Sequence, residues 1–465
     1  MKNKKEFMKK TAYGLFFVLM TLQIVLGLVW IIGNAGKVPD FAETKELLEI
    51  SRTWVLDDYV GVCYPALLWL TKGLESVTGI PYNLFVYLLQ TVVAFLAAVF
   101  FLQKSGLVKC EAGAGKWRLY FGAAYLVTIP MAAQCHVAVL PFSLAASSFL
   151  VVLGEAIFLC KKGSQNVAES VWIMGGGWLL GALLLPEYLW LIGFFAVAVF
   201  GLYMWKNRKC YPLMLIAVAV VLLVNGLQAG LLQEPRSRGR MEKSFSGAML
   251  HRFVWPHFFA NKYFWNSYIT DLFGDEELLE ISENPENVAR IFGLKMEETY
   301  GKEMADREYR KMVGVSLEMR TKEIVFAVGS DALAYACPQV SMDLQLKGVG
   351  VSYTGWNYSR MQGQMPVLTK YYVKFASASF YVLLALGCVA LLVKKGKGDC
   401  KKEKSWGRRA FCLLAVLELV IWYTMSGAGM QDYRNSLVTA TLWAAFMVKM
   451  AEWYRESTAE IVAKD

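Results

Sequence analysis

Asp40, Glu43, Asp57 and Asp58 crowd into PDFAETKELLEISRTWVLDDYVGVCYP, residues 39–65, directly after one apolar run and before others. Acids are seldom set at the mouth of an apolar segment unless they meet water, an ion or a polar substrate. Asp40 and Glu43 stand three residues apart, on one face of the helix that AETKELLEI predicts. That spacing fits two readings. One is a helix cap, in which the acids satisfy orphan amides of the first turn. The other is a carboxylate general base at the membrane edge, able to deprotonate a hydroxyl nucleophile. Asp57 and Asp58 are adjacent like charges, costly unless solvated, hydrogen-bonded or metal-bound. They read as a solvated turn, or as a group that binds a divalent ion or orients an acceptor. A Tyr-Pro turn at Tyr64 and Pro65 is expected after them.

Two other ionisable groups have the right placement for chemistry. Glu187 follows Pro186 in LLLPEYLW, at the end of an apolar run. It either snorkels to the interface or lines a site. Arg434 in GMQDYRN is a cation that could grip a lipid phosphate, or pair locally with Asp432. His136, His251 and His257 show no metal-ligand spacing, and the nine cysteines form no framework. No phosphate-binding glycine motif and no G-x-S-x-G elbow occurs. No cofactor is indicated, and a divalent cation at Asp57–Asp58 is the one metal the pattern leaves open.

The elements that must position these groups are membrane helices. The 465 residues are 56% hydrophobic and 14% aromatic, with a mean hydropathy of +0.38. That is too apolar for a soluble domain of this size. Runs long enough for a hydrocarbon core of about 30 Å recur at 12–33, 81–102, 119–134, 137–160, 171–185, 187–204, 211–232, 371–393, 410–426 and 436–451. The stretch 171–204 is too long for one span, and Pro186 is its natural break. The expected fold is an all-α polytopic membrane protein of about ten spans.

The net charge of +10 does not point to nucleic acid, because it concentrates beside the spans. With the amino terminus inside, one face gathers Lys2, Lys4, Lys5, Lys9 and Lys10, then Lys104, Lys109, Lys116 and Arg118. It also gathers Lys161, Lys162, Lys206, Arg208, Lys209 and the basic run 394–409. The opposite short loops carry Arg434 alone. The expected placement is a multi-pass protein of the cytoplasmic membrane, both termini cytoplasmic, the acidic loop outside. The first span is expected to be retained, since it lacks a small-residue cleavage site.

The chain divides into a core over 1–232 with the acidic outer loop 34–80, an outward segment 233–370, and three closing spans with a cytoplasmic tail over 371–465. The outward segment reads as a partly helical cap. FVWPHFFANKYFWNSY (253–268) is an aromatic strip suited to headgroup depth. Residues 275–328 read as helical, with Met296, Tyr300 and Met304, then Tyr309, Met312 and Val313, at helical spacing. Residues 321–336 read as amphipathic, and 348–363 as an exposed glycine-rich loop.

The succession of a first span, PDFAETKELLEIS and LDDYVGVCYPALLWL resembles the first outer loop of GT-C fold glycosyltransferases of the family 39, protein mannosyltransferase-like type. LLGALLLPEYLWL is similar to that family's helix ending in a proline-acid pair, although Leu185 stands where the family commonly has a basic residue. GMQDYRNSLVTATLW resembles its last outer loop. The segment 233–370 sits where the family has its active-site cap, without a recognisable match in sequence. The resemblance implies transfer of a sugar from a polyprenyl-phosphate carrier to an acceptor whose identity it leaves open. It implies Asp40 as base, Asp57 or Asp58 orienting the acceptor, Glu43 and Glu187 lining the cavity, Arg434 on the lipid phosphate, and no metal. The rival is a flippase or polymerase-like protein of cell-envelope polysaccharide, which would carry charges along its spans. A non-catalytic membrane partner is the third reading.

Overall fold

The computed structural model describes residues 2–35, 42–55, 60–108, 114–162, 167–189, 191–193, 196, 211–230, 245–249, 288–336, 365–393 and 437–462. Among the described residues the fold is helical, with no strand. In chain order the helices are α1 (Lys2–Asn34), α2 (Ala42–Thr53), α3 (Cys63–Thr78), α4 (Tyr82–Lys104), α5 (Ala114–Val127), α6 (Pro130–Val137) and α7 (Phe142–Lys162). There follow α8 (Val167–Leu184), α9 (Tyr211–Gly230), α10 (Phe245–Met249), α11 (Val288–Tyr300), α12 (Lys302–Ala336), α13 (Pro366–Val393) and α14 (Leu437–Val462).

Three described stretches are long and apolar enough to cross a membrane: Lys10–Asn34, Tyr82–Lys104 and Phe142–Leu159. They mark a membrane protein. α1 shows the physics. Phe16, Met20, Gln23, Trp30 and Asn34 are buried along one stripe, while Phe17, Val18, Leu22, Val25, Leu28, Val29 and Ile32 face outward. A helix apolar on its outer face as well as its packed one is built for lipid. α7 lies deeper, covered by α4 and α8. Its crossing with α8 is close because small residues permit it. A Cβ on Gly177 would lie 2.7 Å from Val152, and one on Gly181 would lie 2.7 Å from Ser148 Oγ.

The run 119–134 is not one helix. α5 ends at Val127 and α6 begins at Pro130, whose ring nitrogen has no hydrogen to donate. The freed carbonyl of Thr128 is taken up from elsewhere, by Gln23 Nε2 at 3.1 Å and by the Tyr372 hydroxyl. Side chains of α1 and α13 thus repair the break, as a backbone in apolar surroundings requires. Every residue of α6 is buried, and α1, α4, α5, α7, α13 and α14 all pack on it.

Charged groups fasten one end of the bundle. Lys104 at the end of α4 pairs with Glu155 of α7 at 3.0 Å, and Ser170 of α8 donates to the same carboxylate at 2.5 Å. Arg118 of α5 pairs with Glu452 of α14 at 2.9 Å, and Arg455 reaches Glu452 at 3.3 Å.

In the segment 233–370 the helical reading of 275–328 holds over 288–328, with one correction, and 275–287 lie outside the described residues. Gly301, at φ +75°, separates α11 from α12. Met296, Tyr309 and Met312 are buried, while Tyr300 and Met304, read at the same helical spacing, are exposed. Residues 321–336 are not a separate element; they continue α12, which packs with α10 and α11. The strip 253–268, the loop 348–363 and the expected span 410–426 lie outside the described residues.

Candidate functional site

α2 forms where the acidic pattern predicts it, with Leu47 and Ile50 buried on one side. Glu43 falls in its first turn. Asp40, Asp57, Asp58 and Arg434 lie outside the described residues; what is described is the frame on either side of them. Thr44, next to Glu43, donates its hydroxyl to the carbonyl of Val139 at 3.2 Å. This ties the start of α2 to the connection between α6 and α7. α2 is followed by Trp54, which adopts φ +55°, a left-handed conformation that glycine usually supplies. Its ring lies 6.4 Å from that of Trp69 on α3.

The chain just before α3 is then fastened to α8 at Gly61. The Gly61 amide donates to the Leu184 carbonyl at 3.2 Å. The approach is so close that a Cβ at position 61 would lie 1.9 Å from the Leu183 carbonyl oxygen. Only glycine fits such a backbone crossing. The contact falls three residues after Asp58 and three before Glu187.

Glu187 occupies a turn between α8 and a following helical stretch, as its proline predicts. Tyr188 and Leu189 amides bond back to Leu185 and Pro186 at 2.9 and 3.0 Å, and Trp178 Nε1 pins the turn through the Leu189 carbonyl at 2.8 Å. The Glu187 side chain is half-buried. The Tyr-Pro pair is a correction. Tyr64 and Pro65 are not a turn but the first turn of α3, where a missing amide hydrogen costs nothing because those donors have no intrahelical acceptor. Tyr64 and Leu68 point into the core, and Cys63 beside them is half-buried.

Beside this frame lies a group of uncharged polar side chains that the acidic pattern does not reveal. Gln90 of α4 donates to the carbonyls of His136 at 3.3 Å and Ala138 at 2.8 Å. His136 Nδ1 is 2.7 Å from Ser143 Oγ, and Ser147 donates to the Ser143 carbonyl at 2.7 Å. Yet Gln90 Oε1, His136 Nε2 and the hydroxyls of Tyr64 and Tyr188 are buried with no hydrogen-bond partner. Burial also pushes the Tyr64 hydroxyl well above its ordinary pKa, so it stays a neutral donor. The signal that could have found this group is polar residues inside apolar runs next to Pro130, rather than carboxylates between runs.

Among the described residues no group of three or more His, Cys, Asp or Glu could hold a metal ion. No family model, no curated protein and no solved structure matches the chain.

Proposed function

We propose that this protein is an integral membrane glycosyltransferase. It moves a sugar from a polyprenyl-phosphate-linked donor to an acceptor on the extracytoplasmic side, through about ten spans with both termini cytoplasmic. In this reading Asp40 is the general base on the acceptor hydroxyl. Asp57 or Asp58 orients the acceptor, Glu43 and Glu187 line the cavity, and Arg434 stabilises the departing lipid phosphate. A donor carried on lipid presents its phosphosugar at headgroup depth, so no nucleotide site is needed.

The observation that supports the reading is the Gly61–Leu184 contact, three residues after Asp58 and three before Glu187 in the chain. The described charges speak against the flippase-like rival. Buried Arg118, Glu155 and Glu452 are all engaged in pairs at the basic end, rather than strung along a path. The test is Asp40→Asn, assayed with a polyprenyl-phosphate sugar in membranes. The expected result is loss of transfer by about 10²-fold or more, with normal expression and insertion. Full transfer by the Asn protein sinks the assignment of the base.

A further inference from the structure

We propose that Gln90 is a positioning residue: through the buried connection between α6 and α7 it sets the place of α2, the helix that includes Glu43 and starts two residues after Asp40. The consequence for sugar transfer rests on the transferase reading, whereas the tie itself does not.

The chain of contacts starts at a helix end. α6 stops at Val137, and a helix that stops leaves its last carbonyls short of intrahelical donors. The connection that follows, 138–141, is buried throughout, so its main chain must find partners within the protein. Gln90 of α4 serves both. It is fully buried, and its amide nitrogen donates to the His136 carbonyl at 3.3 Å and the Ala138 carbonyl at 2.8 Å. The Leu140 amide folds back onto the same Ala138 carbonyl at 2.9 Å, which closes the turn around the point that Gln90 holds. The next carbonyl along, that of Val139, is the one that Thr44 Oγ1 of α2 reaches at 3.2 Å.

α2 has reason to depend on this seat. Its 12 residues are too few for a helix to stand firmly alone in water, so tertiary contacts must place it. Leu47 and Ile50 give it an apolar side, but apolar contact is non-directional and does not fix a register. The Thr44 hydroxyl bond is directional. Thr44 is 1% exposed, so bulk water does not replace that bond when it is lost. The base on which α2 is seated is firm. α4 carries Gln90, and its end is paired with α7 through Lys104 and Glu155. General-base chemistry needs hydrogen-bond reach, so a shift of α2 would cost turnover more than donor binding.

The test uses the full-length protein, by hydrogen–deuterium exchange in nanodiscs and by turnover of polyprenyl-phosphate glucose, mannose and galactose in membranes. Thr44→Val and Gln90→Met remove the donor at near-constant volume. Each is expected to speed exchange across 44–53 about tenfold, with α7 and α14 unchanged. The double variant is expected to match the stronger single one, because both act through the same connection. Thr44→Ser keeps the hydroxyl and should keep the slow exchange. In turnover, the two donorless variants are expected to lower kcat about tenfold or more with donor KM within about twofold, and Thr44→Ser to retain wild-type kcat. Gln90→Asn, with its amide on a shorter stem, is expected to act as Gln90→Met does and replaces it where the Met protein fails to insert. Wild-type exchange in α2 of the Gln90 variants overturns the proposal, as does a double variant whose effects multiply. A kcat that stays at the wild-type value while α2 loosens overturns it too. A wild type that turns over none of the three donors, with α2 exchange still answering to Gln90, overturns the transferase reading and leaves the tie standing.

Discussion

The two ends of the bundle are held by different forces. At the basic end, Lys104–Glu155 and Arg118–Glu452 clasp helices across the chain, and their carboxylates are buried but paired. At the acidic-loop end, neutral long-range ties stand out among the described residues. They include a glycine against a backbone, a threonine on a carbonyl, and a tryptophan indole on Thr369 Oγ1 at 2.8 Å. Here, too, polar atoms stay buried without partners. Charge pairs fix a structure firmly once formed, because breaking one strands its partner. Neutral contacts and unspent hydrogen bonds leave room for a ligand to supply the difference.

That contrast can be broken. Gly61→Val is expected to have the largest effect, more than about 3 kcal/mol, because the added carbon meets main chain rather than a movable side chain. Thermal unfolding in detergent reads it out. Gly73→Ala in α3, where nothing lies within 4 Å, is the control and should be neutral or stabilising by about 0.5–1 kcal/mol. Next comes the clasp. Arg118→Ala strands Glu452 in the core and should cost about 3 kcal/mol, softened by the remaining Arg455 contact. Replacing both partners, Arg118→Met with Glu452→Met, should recover most of that loss. A double variant as unstable as the single one would mean the pair is not what fastens that end.

The smallest effect sharpens the other side. Burial pushes the Cys63 thiol above its ordinary pKa, so less of it is thiolate at neutral pH. Alkylation of Cys63 by a membrane-impermeant maleimide should therefore be slow at pH 7 and accelerate as pH rises past the ordinary thiol range. Labelling from the outside of intact cells also reports the side on which α3 lies. Reaction only after the membrane is opened would place the acidic loop on the wrong face for carrier-lipid chemistry.

Much of this architecture is legible in the residues, and the rest is not, for identifiable reasons. The apolar runs of α1, α4 and α7 are long enough to cross a membrane, so hydropathy finds them. α2 follows from AETKELLEI, and the break after α8 follows from Pro186. Hydropathy averages over Pro130, however, and so reads α5 and α6 as one span. Helical spacing assumes one continuous helix, which Gly301 breaks between Tyr300 and Met304. The candidate site divides in the same way. Carboxylates announce themselves in an apolar sequence, whereas Gln90 and Tyr64 look like ordinary core residues until their unpaired atoms are located. Gly61 is one of 38 glycines, and nothing local distinguishes the one that touches Leu183.

The shared carbonyl of Thr128 bears on how the chain assembles. Gln23 is synthesised 105 residues before the acceptor it serves, and the second donor, Tyr372, arrives 244 residues after it. The first helix must therefore enter lipid with an unsated amide, an incentive to remain beside the insertion machinery until α5 emerges. Completion of the joint waits until α13 has been made. Truncated chains ending before α13 would then hold a loosened seam at the molecule's centre, a mark that quality-control proteases could read.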